Sequence, residues 1–290
     1  VGAMWNPGNT TDRAESGSVH YLIPPKDRTK PWQPVALPHE PTVHRMRWVK
    51  AESKFYLVVL PLHGVGNRRG KGDGVKCFAY EAPSDTKSAW TKHLVDDTLH
   101  VSHNLDVVWG EKSDLVVLGG REGLVGMIAG NDEKRRFKPE GMKNGVGEIR
   151  VGKTGSEDRR LVATVEPFHG NTLVSYLVPS GDPSSENWKR AVLDSDLSQG
   201  HAVACADLLG LGRDQVVAGW RGRNSKGKVG IKLYVPNEDY SKWESHTIDD
   251  NTMACEDLRV GDLNGDGKPD IVGAGRATKN LVIYWNQRGK

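Results

Sequence analysis

The sequence predicts an all-β fold, a β-propeller of four-stranded blades. Three observations predict it: a self-similar unit recurs along the chain, each unit carries short segments of alternating apolar residues, and no long amphipathic helical pattern interrupts them. The clearest pair of units is HAVACADLLGLGRDQVVAGWR, from His201, and EDLRVGDLNGDGKPDIVGAGR, from Glu256. Placing Asp207 on Asp262 also places Gly210 on Gly265, Gly212 on Gly267 and Arg221 on Arg276 without a gap. Weaker copies begin at His44, His103 and Glu148, so the repeat is about 45–60 residues long, the length of one blade.

The order inside a unit is constant. A first strand opens on His or Glu, and a turn leads to a β-branched second strand (LVVLP, LVVLGG, LVATVE, QVVAGW, DIVGAG). The third strand alternates apolar residues (VKCFAYE, LVGMIAG, LVSYLVP, GIKLYVP, LVIYWN). A fourth, polar segment starting at Trp32, Trp90, Trp188 or Trp243 is expected to be an exposed outer strand. The 34 glycines and 15 prolines supply the many short turns this plan requires. At the N-terminus, VGAMWNPG, SVHYLIP and WQPVAL match strands two, three and four of a blade without its first strand, while the chain stops after LVIYWN, a third strand. Closed propellers avoid open strand edges. The expectation is therefore one domain over residues 1–290, with six or seven blades, seven being preferred for a complete protein, and with an upstream strand or blade missing.

Lys and Arg total 40 against 37 for Asp and Glu, a net charge of +3 that gives no polyelectrolyte signature for nucleic acid. The basic stretches NRRGK at 67–71 and KRR at 134–136 read as solvated loops. No run of about 18 apolar residues predicts a membrane span. Cys77, Cys205 and Cys255 are sparse and lack CxxC spacing, so they read as buried small apolar residues rather than disulfides or zinc ligands.

Chemistry is expected in two places. DLNGDGKPD at 262–270 sets oxygen side chains Asp262, Asn264, Asp266 and Asp270 around Gly267, with the backbone carbonyl of Lys268 as a further ligand. Alternating oxygens about a glycine turn wrap a hard cation, Ca²⁺ or Mg²⁺, here in a strand-loop-strand setting. The preceding unit has Asp207, Leu209, Leu211 and Gln215 at the same positions and so lacks the ligand set. The second place is a ring of strand ends. His44, His103, Glu148, His201 and Glu256 open the first strands, and His63, Arg121, Glu166, His169, Arg221 and Arg276 close the antiparallel second strands, so both sets belong to one face. Imidazole suits proton transfer or metal ligation, Glu acid or base work, and Arg the holding of anionic oxygen. His103, His169 and His201 are the first choice for Zn²⁺. The cation loop lies at the opposite strand ends, roughly 20 Å away, and reads as a structural staple.

The units resemble FG-GAP or VCBS propeller repeats, carried by DLNGDGKPDIVGAGR. The combination VHRMR, HVSHNL, VEPFHG, GHAVACADL, ACEDLRVGDLNGDG and GRATKNLVIYWN is similar to the propeller domain of the aldos-2-ulose (anhydrofructose) dehydratase family over nearly the whole chain. That resemblance implies a metal-dependent carbon-oxygen lyase that removes water from a ketosugar, with Mg²⁺ and Zn²⁺. It implies that Asp262, Asn264, Asp266 and Asp270 hold the hard cation and that the His, Glu and Arg residues line the sugar site. The fungal enzyme has cupin domains absent from this sequence, so an additional domain or subunit is an expected partner. An extracellular or periplasmic setting follows from the family and from the Ca²⁺ available there. The competing expectation is a non-catalytic propeller that binds a carbohydrate or protein partner.

Overall fold

The computed structural model describes residues 5–85, 87–180 and 187–289. Residues 1–4 of the expected VGAMWNPG strand lie outside the described residues, and residues 5–8 form coil and turn rather than strand.

Contacts divide the chain into two compact units, Val1–Glu122 with Gly126–Arg135, and Gly123–Val125 with Arg136–Lys290. The first unit begins with a two-stranded sheet, β1 (Val19–Ile23) and β2 (Gln33–Leu37). A four-stranded sheet follows, β3 (Val43–Ala51), β4 (Lys54–Pro61), β5 (Cys77–Glu81) and β6 (Thr91–Asp96), hydrogen-bonded in sequence order. The next sheet, β7 (Ser102–Val108), β8 (Leu115–Gly120), β9 (Gly123–Ile128) and β10 (Lys134–Phe137), has the same meander. The second unit contains β11 (Glu148–Lys153), β12 (Arg159–Glu166), β13 (Thr172–Pro179) and β14 (Lys189–Asp194). Another meander, β15 (Gly200–Ala206), β16 (Gln215–Trp220), β17 (Gly230–Pro236) and β18 (Trp243–Asp250), comes next. A three-stranded sheet, β19 (Cys255–Gly261), β20 (Asp270–Gly275) and β21 (Asn280–Tyr284), ends the chain.

The blade count is corrected. Five repeat units carry a first strand, four of them four-stranded and the last three-stranded, with the β1–β2 sheet besides, so the described residues do not make six or seven four-stranded blades. The reason is local: the expected strand before β1 does not form at residues 5–8, and among the described residues no strand follows β21. The strand assignments themselves hold. The β-branched second strands are the most buried, with every residue of β16 covered, whereas β6 and β18 are mostly exposed, as polar outer strands require.

Apolar faces account for stacking within each unit. In the second, Leu161, Ala163, Val165 and Leu173 of one sheet pack on Val203, Val216, Ala218 and Tyr234 of the next, and Ala202, Val217 and Ile231 pack on Leu258 and Ile271 of the last. In the first, Val19 and Leu37 pack on Val43, Leu57, Val59 and Tyr80. A polar staple repeats beside this core. Asp194, at the end of β14, accepts hydrogen bonds from the Tyr234 hydroxyl at 2.7 Å and Lys232 Nζ at 2.8 Å in the next sheet, and Asp249, in β18, accepts one from Tyr284 at 2.8 Å. Cys77 and Cys255 are buried and Cys205 is half-buried, and burial pushes the Cys77 and Cys255 thiols up, which leaves them inert. Among the described residues no helix is long and apolar enough to cross a membrane.

Candidate functional site

The first strands present their leading polar residues through a shared backbone device. The pairing register slips between Val43 and Arg45, Ser102 and Asn104, Gly200 and Ala202, and Cys255 and Asp257. The residue skipped in each case is His44, His103, His201 or Glu256. A bulge leaves one residue out of the ladder, bends the strand and re-aims its side chain, and such bulges are enriched beside active sites. Glu148 is the exception, paired regularly with Val165.

In the second unit the bulged residues meet the ends of the second strands. The His169 and His201 ring centroids are 4.8 Å apart, and their ligand atoms lie within 4.8 Å of each other. His201 is buried, and its Nδ1 lies 2.6 Å from the Glu256 carbonyl oxygen. A carbonyl only accepts, so Nδ1 carries a proton and Nε2 is the ring nitrogen on the other side. The Glu256 carboxylate sits beside that nitrogen, with Oε1 at 3.9 Å. Arg221 donates to the same oxygen at 2.7 Å and Arg276 approaches it at 3.3 Å. Burial pushes the Glu256 carboxyl up, but Arg221, His201 and Arg276 outweigh it and hold the group below the usual carboxylate range. Arg221 is itself steadied by Gln199, which accepts from Nε at 3.2 Å. Glu166 departs from expectation. It is buried, and its carboxylate accepts from Tyr176 at 2.6 Å, Thr164 at 2.9 Å and Arg190 at 3.2 Å, so it braces its own sheet and is not presented to a substrate.

The first unit holds a second polar group. The His44 and His103 rings are 4.6 Å apart, and Trp5 stacks on His44 at 5.3 Å. His63 follows β4, its backbone amide held by Thr42 at 3.0 Å, and Arg121 follows β8, donating to the Arg69 carbonyl at 2.6 Å. Burial, reinforced by Arg121, pushes the His63 imidazole below its ordinary pKa. Trp5 lies in the VGAMWNPG segment that the sequence offered only as a strand of a blade, so nothing marked it as a neighbour of His44. Gln199 was equally silent, lying one residue before β15.

The loop after β19 is a tight turn organised by Asp262. Asp262 accepts from the backbone N–H groups of Gly265 at 2.8 Å, Asp266 at 3.2 Å and Gly267 at 2.9 Å, and these bonds lower its pKa. Asn264 caps Asp266, and Asp266 caps Lys268. Carboxylate oxygens hold more lone pairs than these bonds use, so Asp262, Asn264, Asp266 and the Lys268 carbonyl fit a hard cation. Asp270 is fully buried and accepts from Leu263 at 3.1 Å and Asn286 at 2.8 Å, which makes it an anchor of the loop. The Asp207 loop adopts the same turn, Asp207 accepting from Leu211 and Gly212, and Gly210 and Gly212 have φ of 66° and 71° against 76° and 79° at Gly265 and Gly267. The leading Asp and two glycines therefore specify the turn without a full ligand set.

A family model described as aldos-2-ulose dehydratase, beta-propeller domain, matches residues 16–179, more than half of the chain. The chain belongs to that β-propeller family. Its similarity extends to the curated aldos-2-ulose dehydratase of Phanerodontia chrysosporium, at 26% identity over 237 residues, which is 72% of this chain. The aligned region is 26% of that relative's length, so the chain spans about a quarter of the dehydratase.

Proposed function

We propose that this dehydratase-family propeller acts on a ketosugar of the aldos-2-ulose or 1,5-anhydro-D-fructose type, removing water. One observation carries the reading: a buried imidazole whose Nδ1 is held by a backbone carbonyl sets its Nε2 3.9 Å from a carboxylate that two guanidiniums keep ionised. In the proposed reaction the imidazole takes a proton from the carbon next to the sugar carbonyl, the electron pair moves onto the carbonyl oxygen, and the neighbouring hydroxyl departs as water on taking that proton from the imidazolium, as the electron pair returns to form the double bond. His201 Nε2 is the proton acceptor, Glu256 offsets the imidazolium charge, and Arg276, exposed and paired with Glu256, is the guanidinium that would reach the enediolate oxygen. Zn²⁺, where bound by His169 and His201, would supply Lewis-acid polarisation of the carbonyl, and Glu256 would then be the proton acceptor in place of His201. Dialysis against Zn²⁺ separates the two roles: bound zinc that disappears in His169→Ala and His201→Ala assigns the lone pair to metal, and His103→Ala tests the third ligand expected from the sequence. The deciding experiment incubates the metal-supplied chain with 1,5-anhydro-D-fructose and, separately, with an aldos-2-ulose and follows enone absorbance; a flat trace with both substrates rejects the dehydratase reading.

The family relative is about four times longer than the matched region, which favours one alternative, a propeller that binds the sugar while other domains act on it. Calorimetric sugar binding without enone formation would establish that reading.

The Asp262 loop is proposed to hold Ca²⁺ or Mg²⁺ as a staple of the last sheet. Adding either cation at about 100 times its dissociation constant is expected to stabilise the chain by about 2.7 kcal/mol. Thermal unfolding with and without chelator checks it, and Asp262→Asn with Asp266→Asn should abolish the difference.

A further inference from the structure

The sequence reads NRRGK at 67–71 as a solvated loop, yet in the first unit this loop walls an open cavity. Residues 7–11 form the opposite side, and His63, Asn67, Arg68 and Arg69 face them around about 420 Å³. That volume lies within the range of small-ligand pockets, about 300–1,000 Å³.

The walls are built. Asn67 is buried and ties the loop in three directions, donating to the carbonyls of Asp73 and His100 at 3.0 Å each and accepting from Gly70 at 2.9 Å. Gly66 donates to the Thr10 carbonyl at 2.9 Å, which fastens the two sides together. The charges on this frame are one-sided. No Asp or Glu lines the cavity. The Arg68 and Arg69 guanidiniums make no hydrogen bond or ion pair among the described residues, and Arg121 is drawn in behind them onto the Arg69 carbonyl. His63 Nδ1 is buried without a hydrogen-bond partner, and the nearby acidic Glu122 is already engaged with His100 at 3.2 Å. Guanidinium forks match carboxylate and phosphate oxygens bidentately, and a site with unpaired cations and no acid favours an anion over a neutral hydroxyl.

We propose that this cavity is an anion subsite in which Arg68 and Arg69 hold the carboxylate or phosphate group of an acidic sugar. The anionic part of the proposal rests on the cavity alone; the sugar part rests on the function proposed above. Neither arginine belongs to the His201–Glu256 cluster, so their replacement addresses ligand choice.

The test is calorimetry on the full chain with D-glucuronate, glucose 6-phosphate, D-glucose and inorganic phosphate, repeated with the Arg68→Gln/Arg69→Gln double variant and with Arg68→Lys/Arg69→Lys. One of the two acidic sugars is expected to bind about tenfold or more tightly than glucose, with the advantage shrinking at high salt, lost in the Gln pair and partly kept in the Lys pair. The better of the two acidic sugars identifies the group as carboxylate or phosphate. Equal binding of charged and neutral sugars, or an unchanged preference in the Gln pair, overturns the subsite while leaving a sugar site intact. Binding of inorganic phosphate alone overturns the sugar assignment, and binding of none of the four ligands overturns the subsite, while the enone assay decides the proposed function separately.

Discussion

Replacing Glu256 by Gln is expected to lower turnover of the ketosugar about a hundredfold or more while leaving KM within a few-fold. The substitution keeps the shape and removes the charge. In the native arrangement one carboxylate oxygen receives Arg221 at 2.7 Å and Arg276 at 3.3 Å and faces His201 Nε2 at 3.9 Å. A glutamine amide cannot satisfy two guanidiniums and an incipient imidazolium together, so the positive charge that develops on His201 during proton removal loses its counter-charge. The backbone bond from His201 Nδ1 to the Glu256 carbonyl does not depend on the side chain, so the tautomer is retained and the loss falls on kcat. Stopped assays across sugar concentrations give kcat and KM separately. A Glu256→Asp variant is the companion: recovery of part of the rate identifies the charge as the cause, whereas equal loss in both variants points to misplacement of Arg221 and Arg276. If the propeller only binds sugar, Glu256→Gln will change affinity and no turnover will be found in the parent chain.

Much of this arrangement was legible because it repeats. The alternation of LVVLGG or QVVAGW with GLVGMI or GIKLYVP fixes strand order, and the common starts fixed His44, His103, His201 and Glu256 as one set. What the sequence did not carry is the bulge that lifts each of these residues from its ladder, since a register slip of one residue depends on pairing with a strand some fifteen residues later and leaves no local pattern. Glu166 shows the opposite failure. It occupies the same strand end as Arg221 but pairs with Tyr176 and Arg190 inside its own sheet, and no one-dimensional alignment separates an inward carboxylate from an outward one. Arg68 and Arg69 of the NRRGK loop are exposed, as a solvated loop requires, but the cavity beside them had no sequence signal, because the segment that faces them, residues 7–11, is more than fifty residues away in sequence. The Asp262 turn was the most readable element of all, since its two glycines and the oxygens that bond its backbone lie within nine residues.

The second large effect is expected far from that chemistry, at the Asp of the fourth strands. Asp194→Ala should cost about 3 kcal/mol, because it strands the fully buried Tyr234 hydroxyl and the half-buried Lys232 ammonium together. Tyr234→Phe, which leaves Asp194 its bonds from Lys232 and the Asp196 amide, should cost only about 1 kcal/mol. Urea unfolding measures both, with an unchanged slope and a lower midpoint as the expected signature. The charge on Asp194 adds a pH signature. Burial pushes its carboxyl up, but Lys232, Tyr234 and the Asp196 amide outweigh burial and leave it below the usual carboxylate range. A depressed acid contributes stability that is complete above its unfolded pKa, about 4, and is lost as pH falls through the lower folded value. The native chain should therefore weaken progressively below about pH 4, and Asp194→Asn should remove part of that slope while lowering stability at neutral pH. Parallel acid profiles in the two proteins would mean that Lys232 and Tyr234 stay as well satisfied by an amide as by the carboxylate, and that the staple owes its strength to packing alone.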